Sequence, residues 1–211
     1  MNTISDDVEA VLARMMDRAA DAQQVQQGKP RSEHKPFTLD GVAECVVEAH
    51  GAAKAFALDA MERKPGYWLT LAGRPGCGKT HLLDNVRHAL LERGVEVQRW
   101  RWKRVLDALR EGKDDLLFHL AGLRVLLLDD VGAENLGTER ALGFSLSTLC
   151  ELMELRAGKF TMLTSNLLPR DFAAADQRAA SRLVRNGGKV VNLADAGDFS
   201  ALAYGAARGK K

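Results

Sequence analysis

The chain has 211 residues, of which 46% are hydrophobic and 27% are charged, and its formal net charge is only +2. This length and composition are typical of one soluble globular domain and exclude a chain dominated by disorder. Because the net charge is close to zero, a surface that binds nucleic acid would have to be locally basic. The three widely spaced cysteines predict neither a disulfide framework nor a zinc site.

The first 24 residues are expected to form an amphipathic helix, because apolar residues recur at helical spacing between Val8 and Ala19. Acidic residues stand where a targeting peptide would be basic, and no apolar run approaches the roughly 20 residues that cross a bilayer. We therefore expect a cytoplasmic protein with no membrane partner. Residues 25–36 are polar and predict a linker, which would tether the helix at 1–24 to a domain at 37–211 for binding a partner protein. Packing of this helix back onto the domain is the alternative.

From residue 37 onward, predicted helices alternate with short apolar runs, which indicates an α/β fold with a parallel sheet sandwiched by helices. Five strands are predicted, at residues 67–72, 95–100, 124–129, 160–165 and 189–193. Helices are predicted at residues 39–62, 81–93, 103–110, 142–157 and 172–185. Few residues follow Arg182, so a separate C-terminal helical lid is not expected.

The segment between the first strand and the second helix fits the phosphate-loop pattern GxxxxGK[ST] in full. Its residues are Gly73, Arg74, Pro75, Gly76, Cys77, Gly78, Lys79 and Thr80, followed by His81. The glycines let backbone N–H groups surround phosphate oxygens, and the N-terminus of the next helix adds positive potential. Lys79 would reach the β- and γ-phosphates of ATP, and the Thr80 hydroxyl would bind Mg²⁺. A glycine-rich turn without a ligand is the alternative, and the flanking strand and helix argue against it.

Polar side chains follow the third and fourth predicted strands, at the edge where a parallel sheet binds its ligands. Asp129 ends a buried apolar strand, where a carboxylate is costly unless Mg²⁺ at the phosphate loop compensates it, directly or through water. Asp130 would point at the γ-phosphate and orient the attacking water as general base. Asn166 would hydrogen-bond the γ-phosphate or that water. Capping and turn roles are the alternatives for these three residues.

Four motifs in this order, GRPGCGKTHLL, LLLDDVGAE, FTMLTSNL and RAASRLVR, resemble the DnaC-like AAA+ ATPases. This family comprises bacterial and phage helicase loaders and the related IstB-type transposition ATPases, and the resemblance covers about residues 37–193. It implies a P-loop AAA+ fold without the helical lid, ATP-dependent assembly of a homo-oligomer, contact with single-stranded DNA and delivery of a replicative helicase. It also implies that Arg182, with Arg178 as second choice, is an arginine finger acting on a neighbouring subunit. A solvated basic face is the alternative for these arginines.

Basic and aromatic residues alternate immediately after the second predicted strand. The stretch comprises Arg99, Trp100, Arg101, Trp102, Lys103 and Arg104. Cations that attract phosphates and rings that stack on bases are the features that single-strand binding uses, so this stretch is predicted to contact single-stranded DNA. In an extended chain the basic side chains would face one side and the tryptophans the other. Core tryptophans with solvated charges are the alternative.

These features together predict an ATP-binding AAA+ ATPase that binds a replicative helicase through residues 1–24 and loads it onto single-stranded DNA. Because the N-terminal region is small, an IstB-type transposition regulator that binds duplex DNA and a transposase remains open. A small-molecule P-loop kinase is a further alternative, although Asp130 and Asn166 suit water activation better. Hydrolysis should be slow in an isolated monomer, because the finger would come from a neighbour.

Overall fold

A computed structural model describes residues 43–132 and 139–199 of the chain. The helices are α1 (Glu44–Met61), α2 (Lys79–Glu92), α3 (Trp102–Arg110), α4 (Asp115–Gly122), α5 (Glu139–Leu155), α6 (Pro169–Ala175) and α7 (Gln177–Leu183). The strands are β1 (Trp68–Gly73), β2 (Val97–Arg101), β3 (Val125–Val131), β4 (Phe160–Ser165) and β5 (Lys189–Leu193). A short 3₁₀ turn, Arg185–Gly187, joins α7 to β5. The predicted helix at 1–24 and the linker at 25–36 lie outside the described residues.

The five strands form one parallel sheet in the order β2-β3-β4-β1-β5. Each predicted strand is present, and the predicted ends differ from the observed ones by at most two residues. The predicted α/β fold with a five-stranded parallel sheet is therefore confirmed. Because all strands run the same way, the segments that follow β1, β3 and β4 meet at one edge of the sheet, which is the edge where the phosphate-loop motif and the predicted polar residues lie.

The sheet is buried on both faces, and β3 shows how one apolar run serves both. Val125 and Leu127 belong to a core with α1 and α2, whereas Leu126 and Leu128 belong to a second core with α3, α4 and α5. All four side chains are fully buried. This two-sided burial explains why β3 reads as a continuous apolar run rather than as an alternating pattern. Across the described ranges, no helix has the length and apolar character that would let it cross a bilayer.

Two parts of the helix prediction are wrong. The single helix predicted at 172–185 is divided at Asp176, whose backbone is extended (φ −156°, ψ 108°). The Asp176 carboxylate accepts hydrogen bonds from the backbone N–H groups of Arg178 and Ala179, so it ends α6 and caps α7. Helix α4 was not predicted, because its eight residues are too few to show a clear helical period.

A fully buried arginine, Arg156, ties several elements together just after α5. Its guanidinium donates to the backbone carbonyls of Leu120, Leu123 and Phe160 at 2.6–2.8 Å and to the hydroxyl of Thr161 at 2.8 Å. Burial among these neutral acceptors lowers the pKa of Arg156 to about 10. One side chain therefore fixes the end of α4 and the start of β4 against α5.

Replacing Arg156 with Met should lower the free energy of unfolding by about 3 kcal/mol, because several buried carbonyls lose their donors together. The matched control is Lys159→Met, since the Lys159 ammonium reaches a single carbonyl, that of Ala121, from a partly buried position. That change should cost under about 1 kcal/mol. Chemical denaturation of both variants measures the difference. Equal losses in the two variants would contradict the role assigned to Arg156.

Candidate functional site

The phosphate-loop motif forms the turn between β1 and α2. Gly76 and Gly78 have positive φ angles of 86° and 87°, a left-handed conformation that favours glycine. A methyl group on Gly76 would also overlap the carboxylate of Asp198, and the backbone N–H of Phe199 donates to the Gly76 carbonyl at 3.0 Å. The segment after β5 thus lies directly against the loop, and helix α2 begins at Lys79 with its N-terminus facing it.

The Lys79 side chain folds back into the loop. It is 5% exposed, and its ammonium donates to the carbonyls of Gly73 at 2.8 Å and Arg74 at 2.9 Å. The buried Cys77 thiol lies 3.6 Å from the same ammonium. The loop therefore keeps one positive charge inside its curve, at the position where the motif would hold phosphate oxygens.

The carboxylate of Asp129 is the meeting point of four elements. The side chain is 1% exposed, and its Oδ1 accepts from the hydroxyls of Thr80 at 3.0 Å and Thr164 at 2.7 Å. Its Oδ2 accepts from the Arg99 guanidinium at 2.5 Å. Burial alone would raise the pKa of Asp129, but the hydrogen bonds from Arg99 and Thr164 and the charge of Arg99 hold it below its ordinary value. Asp129 is therefore ionised at neutral pH despite its burial.

The oxygen atoms at this point suit a hard divalent cation. The Thr80 hydroxyl and the Asp129 carboxylate, which the sequence assigns to Mg²⁺, lie 3.0 Å apart at the N-terminus of α2. Mg²⁺ takes one or two protein oxygens of this kind and completes its shell with water and phosphate oxygens. The donor set thus fits the cofactor that the motif implies.

Asp130 has an unusual backbone. Its φ angle is +62°, and the pairing of β3 with β4 is interrupted between Leu128 and Val131. The Asp130 N–H donates to the Thr164 hydroxyl at 2.9 Å, so the same threonine serves both aspartates. Burial, and then the charge of Asp129, raise the pKa of Asp130 above its ordinary value. A carboxylate with a raised pKa at a strained position is suited to accept a proton.

Asn166 follows the last residue of β4, and a short turn holds it beside the end of β3. Ser165 pairs in register with Val131 and donates its hydroxyl to the Val131 carbonyl at 2.6 Å. The Ser165 hydroxyl also accepts from the N–H of Leu167 at 3.0 Å. The structure therefore brings the segment of Asn166 to the edge that carries Asp129 and the phosphate loop.

Arg99 is part of this site, although the sequence assigned it to DNA. Its guanidinium bridges Asp129 and, at 2.6 Å, the Asp84 carboxylate on α2. The sequence reasoning missed this contact because it treated the basic stretch as one surface. The strand order could have revealed it, since β2 lies beside β3 with Arg101 in register with Asp129, and Arg99 shares a strand face with Arg101.

The expected alternation of the RWRWKR stretch is wrong beyond Arg101, because α3 begins at Trp102. Trp102 is fully buried, and its indole N–H donates to the Ser145 hydroxyl at 2.8 Å. Its ring is therefore a core side chain and cannot stack on a base. Trp100 is half-buried against the same core. Three basic residues remain exposed: Arg101, Lys103 and Arg104.

The predicted arginine finger lies far from this site. Arg182 pairs with Glu154 of α5 and lines a hollow with Tyr67 and Trp68, which lie at the start of β1. The phosphate loop follows the other end of β1, and six strand residues span about 20 Å. Arg178 is more exposed, with 78% of its side chain accessible, and contacts its own helix cap, Asp176. Arg182 therefore does not reach the phosphate loop of its own chain.

Comparison with known proteins finds solved structures that share this fold. No protein-family model matches the chain, and no curated protein matches it. The solved structure of DnaI has 22% identity and a TM-score of 0.56, covering 77% of this chain and 87% of that chain. The DnaC helicase loader has 26% identity and a TM-score of 0.50, covering 71% and 90%. Replication initiator DnaA bound to AMPPCP and single-stranded DNA has 24% identity and a TM-score of 0.52, covering 67% of this chain but only 45% of that one.

The fold and the loop geometry together define a P-loop AAA+ domain. Within that class, the chain has the DnaC-like AAA+ fold, shared with DnaC, DnaI and the corresponding part of DnaA. The match spans less than half of the DnaA chain and most of the DnaI and DnaC chains. The resemblance drawn from the four sequence motifs is therefore confirmed at the level of the fold.

Thr164→Val should lower the free energy of unfolding by about 3 kcal/mol, because it removes a donor to the buried Asp129 carboxylate and an acceptor for the Asp130 N–H. Thr70→Val is the matched control, since the Thr70 hydroxyl on β1 is also buried but has no hydrogen-bond partner among the described residues. That change should leave stability unchanged or raise it by up to about 1 kcal/mol. Denaturation curves compare them. A Thr70→Val variant as unstable as Thr164→Val would refute the assignment.

Proposed function

We propose that the protein is an ATP-dependent AAA+ ATPase of DNA replication that acts as a helicase loader. The observation that carries this proposal is the contact of Thr80 with a buried, ionised Asp129 beside a complete phosphate loop. The fold likeness to DnaI and to the DnaC helicase loader supports the placement in replication.

The residues at the carboxyl edge of the sheet have different roles in ATP hydrolysis. The loop backbone and Lys79 bind the β- and γ-phosphates, while Thr80 and Asp129 hold Mg²⁺. Mg²⁺ held by these residues would neutralise charge on the phosphate oxygens. Asp130 accepts the proton of the attacking water, which its raised pKa favours, and Asn166 orients that water or the γ-phosphate.

The position of Arg182 supports an oligomer in which this residue acts as the arginine finger. Because Arg182 lies at the opposite edge of the sheet from its own phosphate loop, it can act only on a neighbour's nucleotide. Within the subunit its guanidinium pairs with Glu154 of α5. A subunit on its own therefore lacks one cation of the site and hydrolyses ATP slowly.

Single-stranded DNA contacts the end of β2 and the helices that follow it. Arg101, Lys103 and Arg104 are exposed there and supply positive charge. Helix α4 adds Phe118, which is 68% exposed and offers the ring that the buried Trp102 does not. Sequence reasoning missed Phe118, and the apolar run of α4 gave no sign of which side chains would face solvent. The partner helicase binds residues 1–24, joined to the domain through the linker at 25–36.

Turnover per subunit should rise steeply with protein concentration, and Arg182→Ala should remove at least about 100-fold of the rate reached at high concentration. Arg178→Ala is the matched control on the same helix and should keep most of the rise. Phosphate release measured over a range of concentrations tests this, with nucleotide binding measured separately. Both variants should bind ATP like the parent, whereas Lys79→Ala should abolish binding. Turnover independent of concentration would contradict the oligomer.

Affinity capture from cytosol with ATP present should recover a replicative helicase with the full chain and lose it with residues 25–211. A full-length variant that replaces Leu12 and Met16, which lie on the predicted apolar face of residues 1–24, controls for length and should also lose the helicase. Recovery of a transposase together with duplex DNA would support the IstB-type alternative. Helicase bound equally well by residues 25–211 would overturn the assignment of the N-terminal segment.

A further inference from the structure

Arg99 supplies the positive charge that compensates the Asp129 carboxylate. Its guanidinium takes the Oδ2 atom at 2.5 Å, while Oδ1 of the same carboxylate is the atom next to Thr80. The Asp129 side chain is 1% exposed, so solvent does little to compensate its charge. A buried carboxylate of this kind is stable only when paired, and in the described residues its cationic partner is Arg99.

Arg99 has a second carboxylate partner, Asp84, to which it can stay bound if it releases Asp129. Asp84 lies on α2, 35% of its side chain is exposed, and it binds the other terminal nitrogen of Arg99 at 2.6 Å. Arg99 itself is 24% exposed, so it can lose one carboxylate and retain the other without becoming a buried unpaired charge. Asp129 has no such freedom, because it is fixed by Thr80 and Thr164.

We propose that Arg99 compensates the charge of Asp129 when no metal is present and competes with Mg²⁺ for that carboxylate. Mg²⁺ beside Thr80 and Oδ1 would carry the same sign of charge as the guanidinium on Oδ2 of the same carboxylate, so each disfavours the other. When Mg²⁺ binds with nucleotide, Arg99 gives up Asp129 and stays on Asp84. The competition sets the Mg²⁺ concentration at which the site fills. This inference rests on the proposed nucleotide site.

Removing the competitor should make Mg²⁺ bind more tightly. In Arg99→Gln, the Mg²⁺ concentration at half-saturation, read from the Mg²⁺ dependence of fluorescent ATP-analogue binding, should fall about tenfold. Arg87→Gln controls for the loss of a nearby positive charge, since Arg87 lies one helical turn beyond Asp84. It should shift that concentration less than twofold. An equal shift in both variants would reduce the effect to general electrostatics and overturn the proposal.

Removing the alternative anchor should have the opposite effect. Asp84→Asn leaves Arg99 with Asp129 alone, so the half-saturating Mg²⁺ concentration should rise several-fold. If the rise acts through Arg99, it should vanish when Asp84→Asn is combined with Arg99→Gln. A rise that persists in the double variant would show that Asp84 acts on the metal directly and would overturn the assigned route.

A measurement without nucleotide separates this inference from the proposed function. In the metal-free protein, Arg99→Gln should lower the melting temperature, because Asp129 then keeps a buried unpaired charge. In an Asp129→Asn background the same change should lower it much less. Failure of the parent protein to bind ATP would refute the proposed function while leaving this coupling measurable. Equal losses of melting temperature in both backgrounds would refute the Arg99–Asp129 pairing itself.

Discussion

A single buried carboxylate, that of Asp129, is the constraint on which the site depends. Burying an ionised group is costly unless hydrogen bonds and an opposite charge compensate it. Here the compensation comes from Thr80 on α2, Thr164 on β4 and Arg99 on β2, while the carboxylate belongs to β3. Four elements must therefore be in register before the charge is tolerated. The contacts that compensate the buried charge of Asp129 also fix the position of its carboxylate, which suits it to hold the proposed metal.

The Thr164 hydroxyl contacts both Asp129 and Asp130, and the two carboxylates have pKa values shifted in opposite directions. Thr164 donates to the Asp129 carboxylate and accepts from the Asp130 backbone, so the two residues are locked in one arrangement. Asp129 is held below its ordinary pKa, and Asp130 is raised above it by burial and by its neighbour's charge. Two adjacent carboxylates thereby become suited to different tasks, one to hold a cation and the other to take a proton.

The parts predictable from sequence were those whose chemistry is local. The phosphate loop follows from glycine spacing, and β3 from an apolar run that ends in acid, so both needed no knowledge of distant contacts. Arg99 and Trp102 were misjudged because their roles depend on which strand neighbours β2 and on where the chain turns helical. The break at Asp176 arises because its carboxylate caps a new helix. The periodicity of the surrounding apolar residues does not predict this contact.

The two edges of the parallel sheet carry different parts of the proposed nucleotide site. Parallel strands gather the phosphate loop, Asp129 and Asn166 at their carboxyl ends, whereas Arg182 is carried by α7 to the start of β1. No rotamer of an arginine spans the length of a six-residue strand. A cation placed at the far edge can serve a nucleotide only if a second subunit presents its loop there. If Arg182 serves the proposed nucleotide site, parallel topology divides that site between subunits and would tie hydrolysis to assembly.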